Sequence, residues 1–146
     1  MMKRNILILV LVIIVISFLI LYRIYSSKDN NQVLKNEKYT KLFNNALTSD
    51  GAHSEGFFSE LSDLFLKEPE YFIEQLSTLN DEDRKSISFH VAYIMCINEP
   101  ELNNEFKDVL YGVKHREKDL KFNVILDNLI KEYEKIKNDI ENQNND

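Results

Sequence analysis

Apolar and polar positions divide the chain into an N-terminal apolar run and a longer part with helical periodicity. Fifteen of the sixteen residues from Ile6 to Leu21 are Ile, Leu, Val or Phe, and Ser17 is the exception. Residues 5–22 contain no charged side chain. As a helix rising ~1.5 Å per residue they extend about 27 Å, close to the thickness of the bilayer hydrocarbon core. We therefore predict a single-pass transmembrane signal-anchor in residues 1–25, with the span at residues 5–25.

A cleaved signal peptide and a buried soluble helix are the alternatives to a retained anchor. Signal cleavage needs small residues after the apolar run, whereas Leu21 is followed by Tyr22-Arg23-Ile24-Tyr25. A soluble helix that is apolar on all sides would need a packing partner on every side. A lipoprotein is excluded because Cys96, the only cysteine, lies far downstream. The retained anchor is the interpretation that these residues favour.

The basic residues around the apolar run predict the orientation of the anchor. Lys3 and Arg4 precede the run and favour a cytoplasmic N-terminus. Arg23, Lys28 and Lys35 follow the run and weaken this asymmetry. Because so short a segment precedes the run, we expect the C-terminal part to lie on the extracytoplasmic side of a bacterial-type cell membrane.

The remaining sequence predicts an all-α domain. Residues 26–35 are mostly polar and predict a stalk, and apolar residues then recur every three or four positions over residues 36–140, as in packed helices. The polar residues 141–146 predict a disordered tail. No stretch alternates with the period of two that is typical of a β-strand.

Several residues predict where the helices begin and end. Ser54 and either Asn80 or Asp81 are suitable N-caps. Pro69 and Pro100 are each suited to the first position of a helix, where a missing N–H group costs nothing. The fourth helix is expected to run to about Ile97, and a long last helix from about Glu117 to Asn142.

One segment recurs within the domain. Leu64–Tyr71, with the sequence LFLKEPEY, is similar to Met95–Leu102, with the sequence MCINEPEL, at an offset of 31 residues. In each copy an apolar helix ends, a Glu-Pro pair turns the chain and the proline begins the next helix. Two stacked αα-hairpins of this kind predict a short α-solenoid that resembles HEAT or tetratricopeptide architecture. The signature residues of tetratricopeptide repeats are absent, and a chance recurrence of Glu-Pro-Glu is the alternative.

The fourth and last helices have distinctive apolar patterns. The fourth is apolar almost all round, which predicts that it is buried at the centre of the domain. The last has apolar residues at heptad spacing over fewer than three heptads, which favours packing on the domain over a coiled coil. Its stripe narrows after Tyr133, so we expect that end to project. The heptad positions are Phe122, Leu126, Leu129, Tyr133, Ile136 and Ile140.

The charge distribution limits the possible partners. All 24 acidic residues but only 15 of the 18 basic residues follow Tyr25, so this part of the chain has a net charge of −9. Such a surface repels nucleic-acid phosphates and anionic lipid, so we expect no nucleic-acid binding and a domain that stands off the membrane. A basic partner is compatible with this charge. With one cysteine, the chain forms no internal disulfide.

The residues that carry common chemistries are sparse. His53, His90 and His115 lie far apart and share no metal-ligand spacing with Cys96, so we predict no metal site and no cofactor. His90 and Cys96 are six positions apart, which places them on different helix faces. A Cys–His nucleophile pair formed by these two residues is the enzymatic alternative.

These observations predict a membrane-anchored, extracytoplasmic α-helical module that binds a protein or peptide and has no catalytic residues. An immunity-type protein that neutralises a toxin at the cell membrane is a more specific alternative, because many toxins are basic. An enzyme that uses His90 and Cys96 is the third. The sequence does not determine the oligomeric state.

Overall fold

The computed structural model describes residues 2–143, with side-chain placements for residues 14–20, 22–23, 31–51 and 53–143. Over residues 2–143 every regular element is helical and no strand is present, so the all-α prediction is confirmed. A π-helical segment, Ile94–Asn98, and a 3₁₀ turn, Pro100–Leu102, separate the fourth and fifth helices. The α-helices are α1 (Met2–Thr48), α2 (Ala52–Lys67), α3 (Pro69–Leu76), α4 (Asp81–Tyr93), α5 (Asn103–Arg116) and α6 (Leu120–Gln143).

The chain forms two compact units, Met1–Lys38 and Tyr39–Asp146, with the boundary inside α1. The predicted span and the predicted polar stalk, residues 26–35, both belong to α1. No glycine or proline precedes Gly51, so nothing in the backbone interrupts this helix.

The predicted span is only partly described. Its side chains at residues 5–13, 21, 24 and 25 lie outside the described residues. In the part of the chain that the structure describes, no helix has an apolar stretch long enough to cross a bilayer.

The core of the second unit is built around α4. This helix packs most extensively against α6 and also contacts α2. Ile87 and Val91 of α4 are completely buried, as the sequence predicts for a central helix. The prediction that α4 is buried on all sides is wrong, however, because Phe89 and Tyr93 keep more than a third of their surface exposed. The end of α1 closes the core with Tyr39, Leu42, Phe43 and Ala46.

The two Glu-Pro turns have nearly the same backbone conformation. Glu68 has φ −142° and ψ 58°, and Glu99 has φ −128° and ψ 56°. The amide of Glu68 donates to the carbonyl of Leu64, four residues back, whereas that of Glu99 donates to Ile94, five residues back. The second turn therefore follows a π-helical segment, which accommodates one additional residue.

The last helix begins later than predicted, and it ends within one residue of the predicted Asn142. It begins at Leu120 because the Glu117 carboxylate accepts the amides of Lys118 and Asp119, each at 2.7 Å, which holds residues 117–119 in a turn. It continues to Gln143, so residues 141–143 of the predicted disordered tail are helical, while residues 144–146 lie outside the described part. Ile136 is buried and Ile140 packs against the core, so α6 stays on the domain as far as residue 140. The prediction that it projects after Tyr133 is therefore wrong over these residues.

Candidate functional site

A cleft of about 240 Å³ lies between the start of α2 and the end of α4. Helix α2 contributes its first two turns, and α4 contributes the turn that leads into the π-helical segment. We call this cavity the aromatic cleft, because three of its side chains are Phe or Tyr and a fourth is His. It is lined by Gly51, Ser54, Glu55, Phe58, Phe89, His90, Tyr93 and Ile94.

The start of α2 is shaped by Gly51. This residue has φ +53°, a left-handed conformation that glycine adopts without the steric cost of a Cβ atom. The prediction that Ser54 caps this helix is wrong. Its hydroxyl instead donates to the Gly51 carbonyl at 2.7 Å, and the amides of Ser54 and Glu55 donate to the same oxygen. This turn leaves the Glu55 side chain exposed at the edge of the aromatic cleft.

His90 is fixed between two phenyl rings. Its ring stacks on Phe58, with centroids 4.3 Å apart and planes 11° apart, and it forms a T-shaped pair with Phe89 at a centroid distance of 5.2 Å. The Nδ1 atom lies 2.8 Å from the carbonyl oxygen of Ser86. A carbonyl oxygen only accepts, so Nδ1 carries the proton in this bond. The stacked ring forms a rigid wall of the aromatic cleft.

An exposed apolar stripe continues from the aromatic cleft along the same helix. Phe89, Tyr93 and Ile97 follow one another at intervals of four residues, and their exposed fractions are 37%, 39% and 41%. The rings of Phe89 and Tyr93 lie 6.1 Å apart. Since four residues is close to one α-helical turn, Phe89 and Tyr93 share a face of α4, and Ile97 follows in the π-helical segment. We call them the exposed stripe, and its first two members also line the aromatic cleft.

Cys96 lies in a different environment from His90. Its thiol is buried and accepts a long hydrogen bond of 3.4 Å from the Asn103 amide. Burial raises the pKa of the Cys96 thiol, which disfavours the nucleophilic thiolate. Cys96 does not belong to the lining of the aromatic cleft, whereas His90 does. His90 and Cys96, the two residues of the enzymatic alternative, therefore do not share the aromatic cleft.

The remaining histidines are exposed side chains at the ends of α2 and α5. His53 and His115 do not belong to the lining of the aromatic cleft. Within the described residues, no group of three or more His, Cys, Asp or Glu side chains is arranged to hold a metal ion. Glu55 is the carboxylate that shares the aromatic cleft with His90.

Sequence reasoning missed the aromatic cleft because one of its signals was ambiguous. The four-residue spacing of Phe89, Tyr93 and Ile97 was visible, but it is equally typical of a second buried face of a central helix. The neighbouring Glu55 gave no signal of its own, since acidic residues are common in the first turn of any helix. Only the packing of α2 against α4 brings these residues to one cavity.

Comparisons with protein-family models, with curated proteins and with solved structures gave no significant match to this chain.

Proposed function

We propose that the chain is a membrane-anchored, extracytoplasmic helical module that binds a segment of another protein at the aromatic cleft and the exposed stripe. The observation that carries this proposal is the partial exposure of Phe89 and Tyr93 on α4 and of Ile97 in the π-helical segment that follows it. Complete burial of such a side chain contributes about 1.5–3 kcal/mol, and covering the part that is still exposed in each of these three residues contributes a fraction of that. Contiguous apolar exposure of this kind is typical of an interaction surface.

Neighbouring residues of α4 support the same conclusion. Ile87 and Val91 are completely buried on the opposite face, so the domain has filled its core without using Phe89 and Tyr93. Tyrosine and other aromatic residues are also enriched at the centres of protein interfaces. The cavity beside the stripe supplies a recess for a side chain of the partner, as the anchor residues of interfaces require.

The charge of the chain indicates the chemistry of the partner. The part after Tyr25 has a net charge of −9, and Glu55 places a carboxylate in the aromatic cleft itself. A partner segment with both apolar and basic side chains is complementary to this surface. Its association should weaken with added salt, because the screening length falls from roughly 30 Å at 0.01 M to ~8 Å at 0.15 M.

The proposed membrane attachment is supported by residues 5–22, which are uncharged, and by the helical backbone of α1 over Met2–Thr48. Only a helix satisfies its own backbone hydrogen bonds in lipid with a single segment. The acidic domain is repelled by anionic headgroups, which leaves its exposed stripe available to a protein.

The repeated turns support the proposed αα-hairpin architecture. Glu68 and Glu99 occupy equivalent positions of the sequence repeat. Their φ angles of −142° and −128° differ by 14°, and their ψ angles of 58° and 56° differ by 2°. Pairs of stacked αα-hairpins are common in proteins whose role is to present a binding surface.

A toxin-neutralising immunity protein is a more specific form of the same proposal. The carboxylate of Glu55 in the aromatic cleft and the negative charge of the domain favour the immunity protein, because both would attract a basic toxin. The identity of the bound protein distinguishes the two forms: a secreted toxin supports this one, and a protein of the same cell supports the general module.

Co-purification from membranes of the producing cells tests the proposal. The full-length chain is solubilised in detergent and isolated at low and high salt, alongside a Phe89→Ser/Tyr93→Ser variant. A Leu120→Ser/Val124→Ser variant is the control, because these two residues are 83% and 57% exposed on α6 and do not line the cleft. We expect one partner to be lost from the stripe variant and at high salt, and retained by the control.

Equal recovery of that partner with the stripe variant and the parent would refute the proposed site. Loss from the control alone would move the binding surface to the start of α6.

A further inference from the structure

The lining of the aromatic cleft combines negative charge with aromatic faces. Among the described residues that form it, Glu55 is the one side chain with a full negative charge, and no Lys or Arg is present. Phe89 and Tyr93 stand beside it, each more than a third exposed, with their ring planes inclined by 32°. Aromatic faces carry the negative part of the ring quadrupole, so they attract cations within about 6 Å.

The backbone at the edge of the cleft does not reverse this preference. The start of α2 contributes a partial charge of roughly +0.5, which by itself would favour an anion. The full negative charge of Glu55 in the first turn of α2 exceeds this partial charge. The local balance therefore favours a cation.

The shape of the cleft favours a long side chain. Its volume of about 240 Å³ is several times the ~30 Å³ that one water molecule occupies in the liquid. The floor is apolar, formed by the buried Phe58 and Ile94. A side chain with an aliphatic stem and a cationic end would cover this floor and place its charge near the edge.

We propose that the aromatic cleft binds one arginine side chain of the partner segment, with the guanidinium against the faces of Phe89 and Tyr93 and paired with Glu55. Arginine fits better than lysine because its planar, weakly hydrated group both stacks on aromatic rings and binds carboxylates with two parallel hydrogen bonds. This assignment rests on the proposed function and specifies its central contact.

Short peptides test the assignment without the partner. The full-length chain, labelled with ¹³C at phenylalanine and tyrosine rings, is titrated in detergent micelles with N-acetyl-Ala-Arg-Ala-amide. Matched peptides carry norleucine or glutamate in place of arginine. We expect saturable shifts of the Phe58, Phe89 and Tyr93 signals with the arginine peptide, weaker shifts with norleucine and none with glutamate.

Two carboxylate variants locate the charge that matters. Glu55→Gln should weaken binding of the arginine peptide about fivefold, which is the upper range for a partly exposed ion pair. Glu105→Gln is the control, because Glu105 is also an exposed residue in the first turn of a helix, α5, and does not line the cleft. Its binding should equal that of the parent.

The assignment is overturned if norleucine binds as tightly as arginine, if the glutamate peptide binds more tightly, or if Glu55→Gln has no effect. Absence of any saturable shift with the arginine peptide also overturns it. These outcomes refute the arginine assignment without refuting the proposed function. The proposed function is refuted separately, if the stripe variant keeps its partner in the co-purification experiment.

Discussion

Asn103 connects three elements of the second unit through its side-chain amide. Its oxygen accepts the Tyr133 hydroxyl of α6 at 2.8 Å, and its nitrogen donates to the Met95 carbonyl at 3.3 Å and to the Cys96 thiol. Tyr133 is completely buried, so its hydroxyl has no access to water. A buried hydroxyl without a partner is costly, which makes Asn103 important for stability.

We predict that Asn103→Ala lowers the free energy of unfolding by about 1–3 kcal/mol, the cost of leaving the Tyr133 hydroxyl unsatisfied. Asn104→Ala is the control, because Asn104 is exposed beside it and should change stability by less than about 0.5 kcal/mol. Denaturant unfolding followed by circular dichroism measures both. Equal losses in the two variants would show that the network is not what stabilises this region.

The Tyr111 hydroxyl donates to Glu134 Oε1 at 2.5 Å, and this bond, together with burial, raises the pKa of Tyr111 to about 12. In the unfolded chain a tyrosine loses its proton near pH 10. The contribution of Tyr111 to stability is therefore complete below about pH 10 and is lost as the pH rises toward 12.

We predict that Glu134→Gln lowers the pKa of Tyr111 toward about 10, because the charge that opposes tyrosinate is removed. Glu132→Gln, a half-buried residue of the same helix, should leave it unchanged. The measurement is a pH titration of the ¹³Cζ signal of tyrosine, assigned by comparison with Tyr111→Phe. An unchanged pKa in Glu134→Gln would contradict the role of this hydrogen bond.

Helix α4 shows how far the periodicity of a sequence determines its packing. The N-cap of α4 was predictable from chemistry: the Asn80 side chain accepts the Asp83 amide at 2.9 Å, as expected of an N-cap. The burial of Ile87 and Val91 was predictable from their spacing. The partial exposure of Phe89 and Tyr93 was not predictable, because periodicity does not reveal which neighbouring helices cover a given face.

We predict opposite effects on stability for two substitutions that each introduce an aspartate into α4. Val91→Asp places an unpaired carboxylate in the core, which should cost several kcal/mol and unfold a domain of ordinary stability. Phe89→Asp, two positions away on the exposed stripe, should keep the fold and abolish partner binding. Thermal unfolding followed by circular dichroism compares the two. Similar melting of both variants would mean that α4 does not have the buried and exposed faces described.

The π-helical segment Ile94–Asn98 was beyond sequence reasoning. Pro100 correctly predicted the start of a new helical element, since proline fixes its own φ angle. The additional residue before Glu99 is accommodated by packing, through the bond from its amide to the Ile94 carbonyl. The helix propensities of single residues do not predict a hydrogen bond from an amide to the carbonyl five residues earlier, as in a π-helix.

At the scale of the whole chain, composition predicted general properties better than it predicted the location of a site. The absence of glycine and proline before Gly51 is consistent with the uninterrupted α1, although the polar residues 26–35 had suggested a separate stalk. The net charge of −9 after Tyr25 is the basis for proposing a basic partner, but it does not indicate where such a partner would bind. The cleft needs the tertiary contact of α2 with α4, which joins residues more than thirty positions apart, such as Phe58 and His90.

The proposed topology depends on few charges. We predict that Lys3→Ser/Arg4→Ser inverts part of the population, because these residues supply most of the charge bias before the span. Lys118→Ser/Lys121→Ser is the control, since it removes the same charge far from the span. Protease added to intact cells should digest the domain of the parent and of the control, and leave part of the first variant protected. A protected domain in the parent would refute the extracytoplasmic assignment.

Site-specific photo-cross-linking in intact cells tests most directly whether the exposed stripe is the binding surface. p-Benzoylphenylalanine replaces Tyr93 in one variant and Val124, an exposed residue of α6 outside the cleft, in the other. We predict that the probe at position 93 gives one adduct, whose cross-linked peptide is basic and contains arginine, and that the probe at 124 gives none. An adduct at position 124 alone, or no adduct at 93, would contradict the account.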